Sequence, residues 1–220
     1  MSALAIAIDG PAGAGKSTVS KELARRTGYS LLDTGAMYRA VTVACMKLNL
    51  INDDAAIAQC VTSHNIEIRI DSGLTFAFVD GEDVTASLRL KEVTALVSRI
   101  AAVKAVRDWA VNVQRNVVDE EVSSNRGIIL EGRDIGTTVL PNADCKFFLT
   151  ASDEKRAERR AAEVSAPAET ILAEIKQRDA LDSEREISPL RMADDAVLID
   201  ATDLTVDEVI NIMLQVMEQK

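Results

Sequence analysis

Apolar residues recur along this chain in two rhythms. Short dense runs occur at 4–9, 29–33, 127–131, 145–150 and 196–200, as "LAIAID", "YSLLD", "GIILE", "CKFFLT" and "AVLID". Their length suits strands covered on both faces, where the usual alternation with polar residues disappears. Between most of them the spacing turns helical. One helix is predicted over 16–27, stopped by Gly28 as a C-terminal cap, and another over 36–48. Further on, Thr205 and Glu208 form a capping-box pair around Val206, with Val209, Ile210, Met213 and Val216 continuing at helical spacing. Strands alternating with helices predict an α/β fold in which helices cover both faces of a five-stranded parallel sheet.

The rhythm breaks between about 52 and 115. There "NIEIRI", "DSG" and "LTFAFVDGEDVT" alternate polar and apolar positions between turn residues, the pattern of a hairpin or meander. Two helical patterns follow, in "VTALVSRIAAV" and "AVRDWAVNVQR". The segment is neither Gly/Ser-rich nor poor in apolar residues, so it reads as a subdomain inserted into a single domain spanning 1–220. Residues 153–178, "DEKRAERRAAEVSAPAETILAEIKQR", are heavily charged and interrupted at "SAPAE". Their composition fits a solvated helical pair, and a mobile lid carrying cations is the alternative. Trp109, Met37 and Met46 read as packing residues, and His64, just before a strand, as a surface or turn residue.

Composition narrows the partners. With 25 basic against 35 acidic residues the chain carries a formal charge of −10. That argues against a broad nucleic-acid-binding surface and fits a monomer that stays soluble by self-repulsion. Cys45, Cys60 and Cys145 show no metal-ligand spacing, and His64 is the only histidine, so zinc is not expected. No signal-like segment or membrane-length apolar run is evident, and the expectation is a cytoplasmic protein that binds neither membrane nor nucleic acid.

The chemistry starts directly after the first apolar run. Gly10-Pro11-Ala12-Gly13-Ala14-Gly15-Lys16-Ser17 fits the pattern G-x-x-x-x-G-K-[ST] in strand–loop–helix context. Glycines let the backbone curl so that successive N–H groups face phosphate oxygens, and the following helix adds its positive end. Lys16 is placed for the β- and γ-phosphates, Ser17 for Mg²⁺, and Thr18 for a nearer phosphate. No guanine-reading NKxD, D-x-x-G switch or LSGGQ signature occurs. Switch GTPases and transporter ATPases are therefore set aside, which leaves a small ATP-dependent kinase.

A kinase also needs an acceptor grip, and three further segments are dense in suitable groups. In "LLDTGAMYRA", Thr34, Tyr38 and Arg39 follow Asp33 at a strand end, the edge where open α/β sheets bind ligands. Arg39 is there an anion ligand or a plain helix-surface arginine. In "LEGRDIGTTV", Arg133 and Asp134 follow another strand, where two charges are costly unless paired or used. In "KQRDALDSEREISPL", Arg178, Asp182 and Arg185 share one helical face, either as a salt-bridge ladder or as part of a site.

Together with "GEDVT" and "VSRIAAVKAVRDWAVNVQR", these segments resemble the bacterial cytidylate kinases, a family of nucleoside monophosphate kinases, in order and over nearly the whole chain. The resemblance implies a P-loop NTPase core with an inserted NMP-binding subdomain and a short lid. It implies transfer of the γ-phosphoryl group of ATP, with Mg²⁺, to CMP or dCMP. Arg39 and Arg133 would then hold the acceptor phosphate, and Thr34, Ser98, Arg107, Asp134 and Arg185 the cytosine. Arg178 and Asp182 fall at the ribose, while Arg156, Arg159 and Arg160 would close on the moving phosphoryl group beside Lys16 and Arg133. Thr34 stands where some members carry Ser, and the stretch between Arg160 and Arg178 is shorter than in the longer members.

Overall fold

The five apolar runs lie side by side as parallel strands, so their backbone groups are satisfied by one another while their side chains go to either face. A computed structural model describes residues 3–71 and 74–220. The strands are β1 (Ala5–Asp9), β2 (Ser30–Asp33), β6 (Ile128–Glu131), β7 (Cys145–Thr150) and β8 (Val197–Asp200), in the order β2-β6-β1-β7-β8. Alternate residues separate cleanly. Ala7, Leu32, Ile128 and Leu130 join one apolar cluster, and Ile6, Ile8, Leu31, Ile129, Phe147 and Leu149 join a second on the other side.

Helices α1 (Lys16–Thr27) and α8 (Val206–Met217) cover the second cluster. Helix α1 stops at Gly28, whose positive φ of 73° suits a glycine, and the expected Thr205/Glu208 capping box opens α8. The first cluster is covered by α2 (Thr34–Lys47) and by the elements that follow it: α3 (Asp54–Ser63), the antiparallel strands β3 (Ile66–Asp71), β4 (Leu74–Val79) and β5 (Glu82–Asp83), a 3₁₀ turn (Thr85–Arg89), α4 (Lys91–Ala101) and α5 (Lys104–Ser123). The expected meander is present, but the turn placed at "DSG" falls on residues 72–73, outside the described residues.

Two features of this region differ from the sequence reading. Helix α3, started by Asp53 accepting from the backbone N–H of Ala55 and Ala56, was not anticipated, and α5 runs past residue 115. The inserted elements also share their apolar cluster with the sheet: Ile57, Val79, Leu88 and Val97 belong to the same buried group as Leu32 and Leu130.

The charged stretch folds as two packed helices, α6 (Asp153–Val164) and α7 (Ala168–Glu184), joined where Ser165 adopts a left-handed conformation. Among the described residues, no helix is long and apolar enough to cross a membrane.

Leu32 is completely buried, and Leu32→Ala is expected to cost about 2–5 kcal/mol. Loss of the cap in Thr205→Ala should cost only about 1 kcal/mol. Urea unfolding of the two variants checks the ranking, and equal losses would contradict this account of where stability resides.

Candidate active site

Reversal of the strand order about β1 opens a crevice at the C-terminal edge of the sheet, and the glycine-rich loop leaves β1 at that point. Gly10 presses so closely on β7 that a Cβ there would lie 2.0 Å from the Leu149 carbonyl oxygen. Gly13 and Gly15 take φ of 74° and 95°, and Gly15 is the N-cap of α1. Lys16 is buried, with Nζ donating to the Gly10 and Pro11 carbonyls, both at 2.7 Å. Ser17 and Thr18 follow in the first turn of α1. Ser17 donates to Glu131 Oε1 at 2.9 Å, while Thr18 is exposed.

Three carboxylates stand at the strand ends beside this loop: Asp9, Asp33 and Glu131. Asp33 caps α2 by accepting from the Ala36 N–H at 3.2 Å. Asp9 accepts from the N–H groups of Ile135 and Gly136 at 2.8 and 2.7 Å, fixing the one-turn π-helix Ile135–Val139. Burial pushes its carboxyl up to about 6. Glu131 is pushed up to about 7, first by burial and then by the charge of Asp33. Its backbone carbonyl accepts from Thr34 Oγ1 at 2.7 Å, and its Oε2 is buried without a hydrogen-bond partner. Neither Asp9 nor Glu131 was singled out in the sequence. The signal lay in their position, each the last residue of a central strand.

Cations crowd the same edge. Arg39 on α2, Arg133 after β6 and Arg178 on α7 come together, although they are widely separated in sequence. Burial lowers the pKa of Arg178 to about 9, with Arg133 and Arg39 adding repulsion. The Lys16 ammonium is weakened first by burial and then by Arg133, with Arg178 also contributing. Arg39 is weakened chiefly by burial, with Asp33 opposing and Arg133, Arg89 and Arg160 adding their repulsion. Nε of both Arg39 and Arg178 is buried without a hydrogen-bond partner. Arg160 thus faces this group even though it pairs with Glu163 at 2.7 Å. Arg89, from the 3₁₀ turn, is a member that the sequence reading did not include.

Next to this cluster lies a second, mixed one. Arg107 is only 2% exposed and joins Asp134 in a buried ion pair, with its guanidinium over the Tyr38 ring. Arg185 lies 3.7 Å from Asp134 and 3.9 Å from Asp182. Asp182 accepts from Arg133 Nε at 2.9 Å and from Ser98 Oγ at 3.3 Å. Burial opposes its ionisation, but Arg133, Arg178 and Arg185 together hold its carboxyl below the usual carboxylate range. Ser98, expected at the base, therefore bonds the carboxylate expected at the ribose.

Arg156 and Arg159, expected to close on the moving group, bond the loop and its neighbours in this structure. Arg156 is buried and bonds the Ala12 carbonyl at 2.8 Å, Asp153 at 2.5 Å, and Asp179. Arg159 donates to the carbonyls of Ala14 at 3.3 Å and Ala201 at 2.6 Å. Both side chains grip backbone, because α6 packs directly on the loop.

A buried cradle of backbone N–H groups, a ring of guanidinium groups and an Arg–carboxylate pair suit two phosphates and a polar base. The profile of the family described as Cytidylate kinase matches residues 6–219. The chain belongs to the cytidylate kinase family. Relatives named cytidylate kinase include those of Caldicellulosiruptor bescii, 45% identical over 98% of this chain and 96% of the relative, and Ligilactobacillus salivarius, 46% identical over 99% and 97%. The cytidylate kinase of Bacillus subtilis is 44% identical over 99% and 97%. In overall fold the chain resembles TT1252 from Thermus thermophilus, with a TM-score of 0.50, 20% identity and 100% of each chain covered.

One consequence for this cytidylate kinase fold concerns Asp9. Between 3.8 and about 6, the native protein holds a proton that the unfolded chain has released. Stability therefore falls as pH rises through that window. Asp9→Asn cannot ionise, so wild type should lose about 2 kcal/mol relative to it between roughly pH 4.5 and 7. Urea unfolding at the two pH values measures the difference, and a constant gap would refute the assignment.

Proposed function

We propose that this chain transfers the γ-phosphoryl group of ATP to CMP, and to dCMP, giving ADP and CDP or dCDP, as a cytoplasmic monomer. The observation that carries this reading is the convergence of Lys16, Arg39, Arg133 and Arg178 beside the Asp134–Arg107 pair at one sheet edge. Residues Gly10 to Thr18 wrap the donor phosphates, with the backbone N–H groups from Gly13 onward free to face them because Pro11 has none and that of Ala12 is held by Asp179. Lys16 Nζ exchanges the Gly10 and Pro11 carbonyls for phosphate oxygens. Arg39 and Arg133 take the acceptor phosphate, Arg178 and Asp182 the ribose, and Thr34, Ser98, Arg107, Asp134 and Arg185 the base.

The acceptor oxygen is already anionic, so no general base is needed. Positioning and neutralisation of charge do most of the work. Cationic groups at such a transition state are worth about 10³–10⁵ in rate. Here Lys16, Arg133 and Arg160 supply them, while Arg156 and Arg159 hold the loop itself. Mg²⁺ fits the Ser17–Glu131 corner, because such ions take one or two protein oxygens alongside substrate phosphates, and Glu131 Oε2 has no partner. Ser17 and Glu131 would hold the ion, which would supply charge neutralisation to the donor phosphates.

Base choice falls to Asp134. Its carboxylate accepts from the exocyclic amine of cytosine and meets the O4 lone pairs of uracil, a discrimination worth roughly 1–3 kcal/mol. UMP is thus a weaker acceptor rather than an excluded one.

A coupled assay with CMP, dCMP, UMP and AMP tests the reading, with CMP and dCMP expected to lead. Lys16→Met should abolish nearly all transfer, and near-normal turnover in that variant would overturn the assignment. Asp134→Asn can also donate to uracil, so its CMP:UMP ratio of kcat/KM should shrink by about 10- to 100-fold. An unchanged ratio would remove Asp134 from base selection.

A further inference from the structure

Ala12 is held in an unusual way. Its N–H donates to Asp179 Oδ1 at 3.0 Å, and its carbonyl accepts from Arg156 Nη1 at 2.8 Å. Both polar backbone groups of one loop residue are therefore taken by the α6–α7 pair, from positions 144 and 167 residues away. Arg156 and Asp179 are also ion-paired, and Arg156 Nη2 reaches Asp153, which lies 3.5 Å from Lys176.

Packing reinforces the clip. The Ala12 methyl belongs to a small buried cluster with Ala157, Ile171 and Ile175. Gly13 lies so close that a Cβ there would stand 2.9 Å from the Arg156 carbonyl oxygen.

What makes the clip more than a fold contact is the residue beside it. Successive helical positions diverge by about 100°. Asp179 points to the loop, while Arg178 and Asp182 belong to the acceptor cluster. Arg178 is also near enough to Lys16 to weaken its ammonium. Helix α7 thus spans the gap between the two phosphate grips, and its register on the loop sets their separation.

We propose that Asp179, locked by Arg156, is a positioning residue that fixes α7 on the phosphate loop. It thereby sets the distance across which the phosphoryl group moves and keeps that group from water. The role is indirect: neither side chain touches substrate. This inference rests on the kinase reading above.

Arg156 needs its forked side chain, since it serves Ala12, Asp153 and Asp179 at once. Asp179→Asn keeps the shape and an acceptor for Ala12 but removes the charge that holds Arg156. Asp179→Ala removes both.

The test compares wild type, Asp179→Asn, Asp179→Ala and Arg156→Met in the full chain. It reads kcat, KM for ATP and CMP, ATP hydrolysis without acceptor, and thermal unfolding. Misplacement by about 1 Å costs on the order of 10²-fold in rate. Asp179→Ala should accordingly lose about 10- to 100-fold in kcat with KM for CMP nearly unchanged. Asp179→Asn should fall between it and wild type, and hydrolysis per transfer should rise in both. Amide exchange at Ala12 should speed up by about tenfold while β1 keeps its protection, a readout independent of activity.

Unchanged kcat and hydrolysis in folded Asp179→Asn would overturn the proposal. So would a rise in KM for ATP alone, or a loss matched by the unfolded fraction. If wild type fails to phosphorylate CMP, the kinase reading fails first. If wild type succeeds and the variants equal it, the positioning role fails alone.

Discussion

The structure depends on a shortage of negative charge at the C-terminal edge of the sheet. Lys16, Arg39, Arg133 and Arg178 are gathered there and largely withdrawn from water, and repulsion among them weakens Lys16, Arg39 and Arg178. Clustering buried charges of one sign opposes folding unless partners compensate. Asp182 compensates for Arg133, but burial and Asp33 disfavour ionisation of Glu131, which accepts from Ser17. The fold therefore tolerates an imbalance that an incoming anion would relieve. Donors fixed before charge arrives need no rearrangement when it does, which is how such sites gain rate.

Helix α7 ties the arrangement together. Arg178 and Asp182 join the arginine cluster, Asp179 bonds the glycine-rich loop, and Arg185 at its end lies beside Asp134. The spacing between the arginine cluster and the glycine-rich loop then follows from one rigid element rather than several loops. Asp9 plays a comparable part from the opposite direction, joining the end of β1 to the turn that presents Asp134.

Much of this was legible in the sequence. The five strands were placed within a residue of their observed starts, because buried parallel strands have a dense apolar signature. The phosphate loop was legible because its glycines and lysine have fixed spacing. Helix α3 was not, since its mixed Ala, Gln and Thr content lacks a clear stripe, although Asp53 stood ready as its cap. The resemblance groups Arg156 and Arg159 with Arg160; helical rotation turns the first two onto the loop and leaves the third within reach of Arg178. Glu131 and Asp9 escaped notice because a carboxylate ending a strand carries no pattern. Their meaning comes from parallel neighbours, which only the sheet order supplies.

The inserted elements draw their interior from the same apolar mass that lines the sheet, with α2 embedded within it. A close-packed interior does not bend through its middle. Arg39 on α2 and Arg107 on α5 accordingly ride in one carriage and keep their spacing when either moves. Excising residues 54–123 would not leave a leaner enzyme: it would strip one flank of the sheet bare.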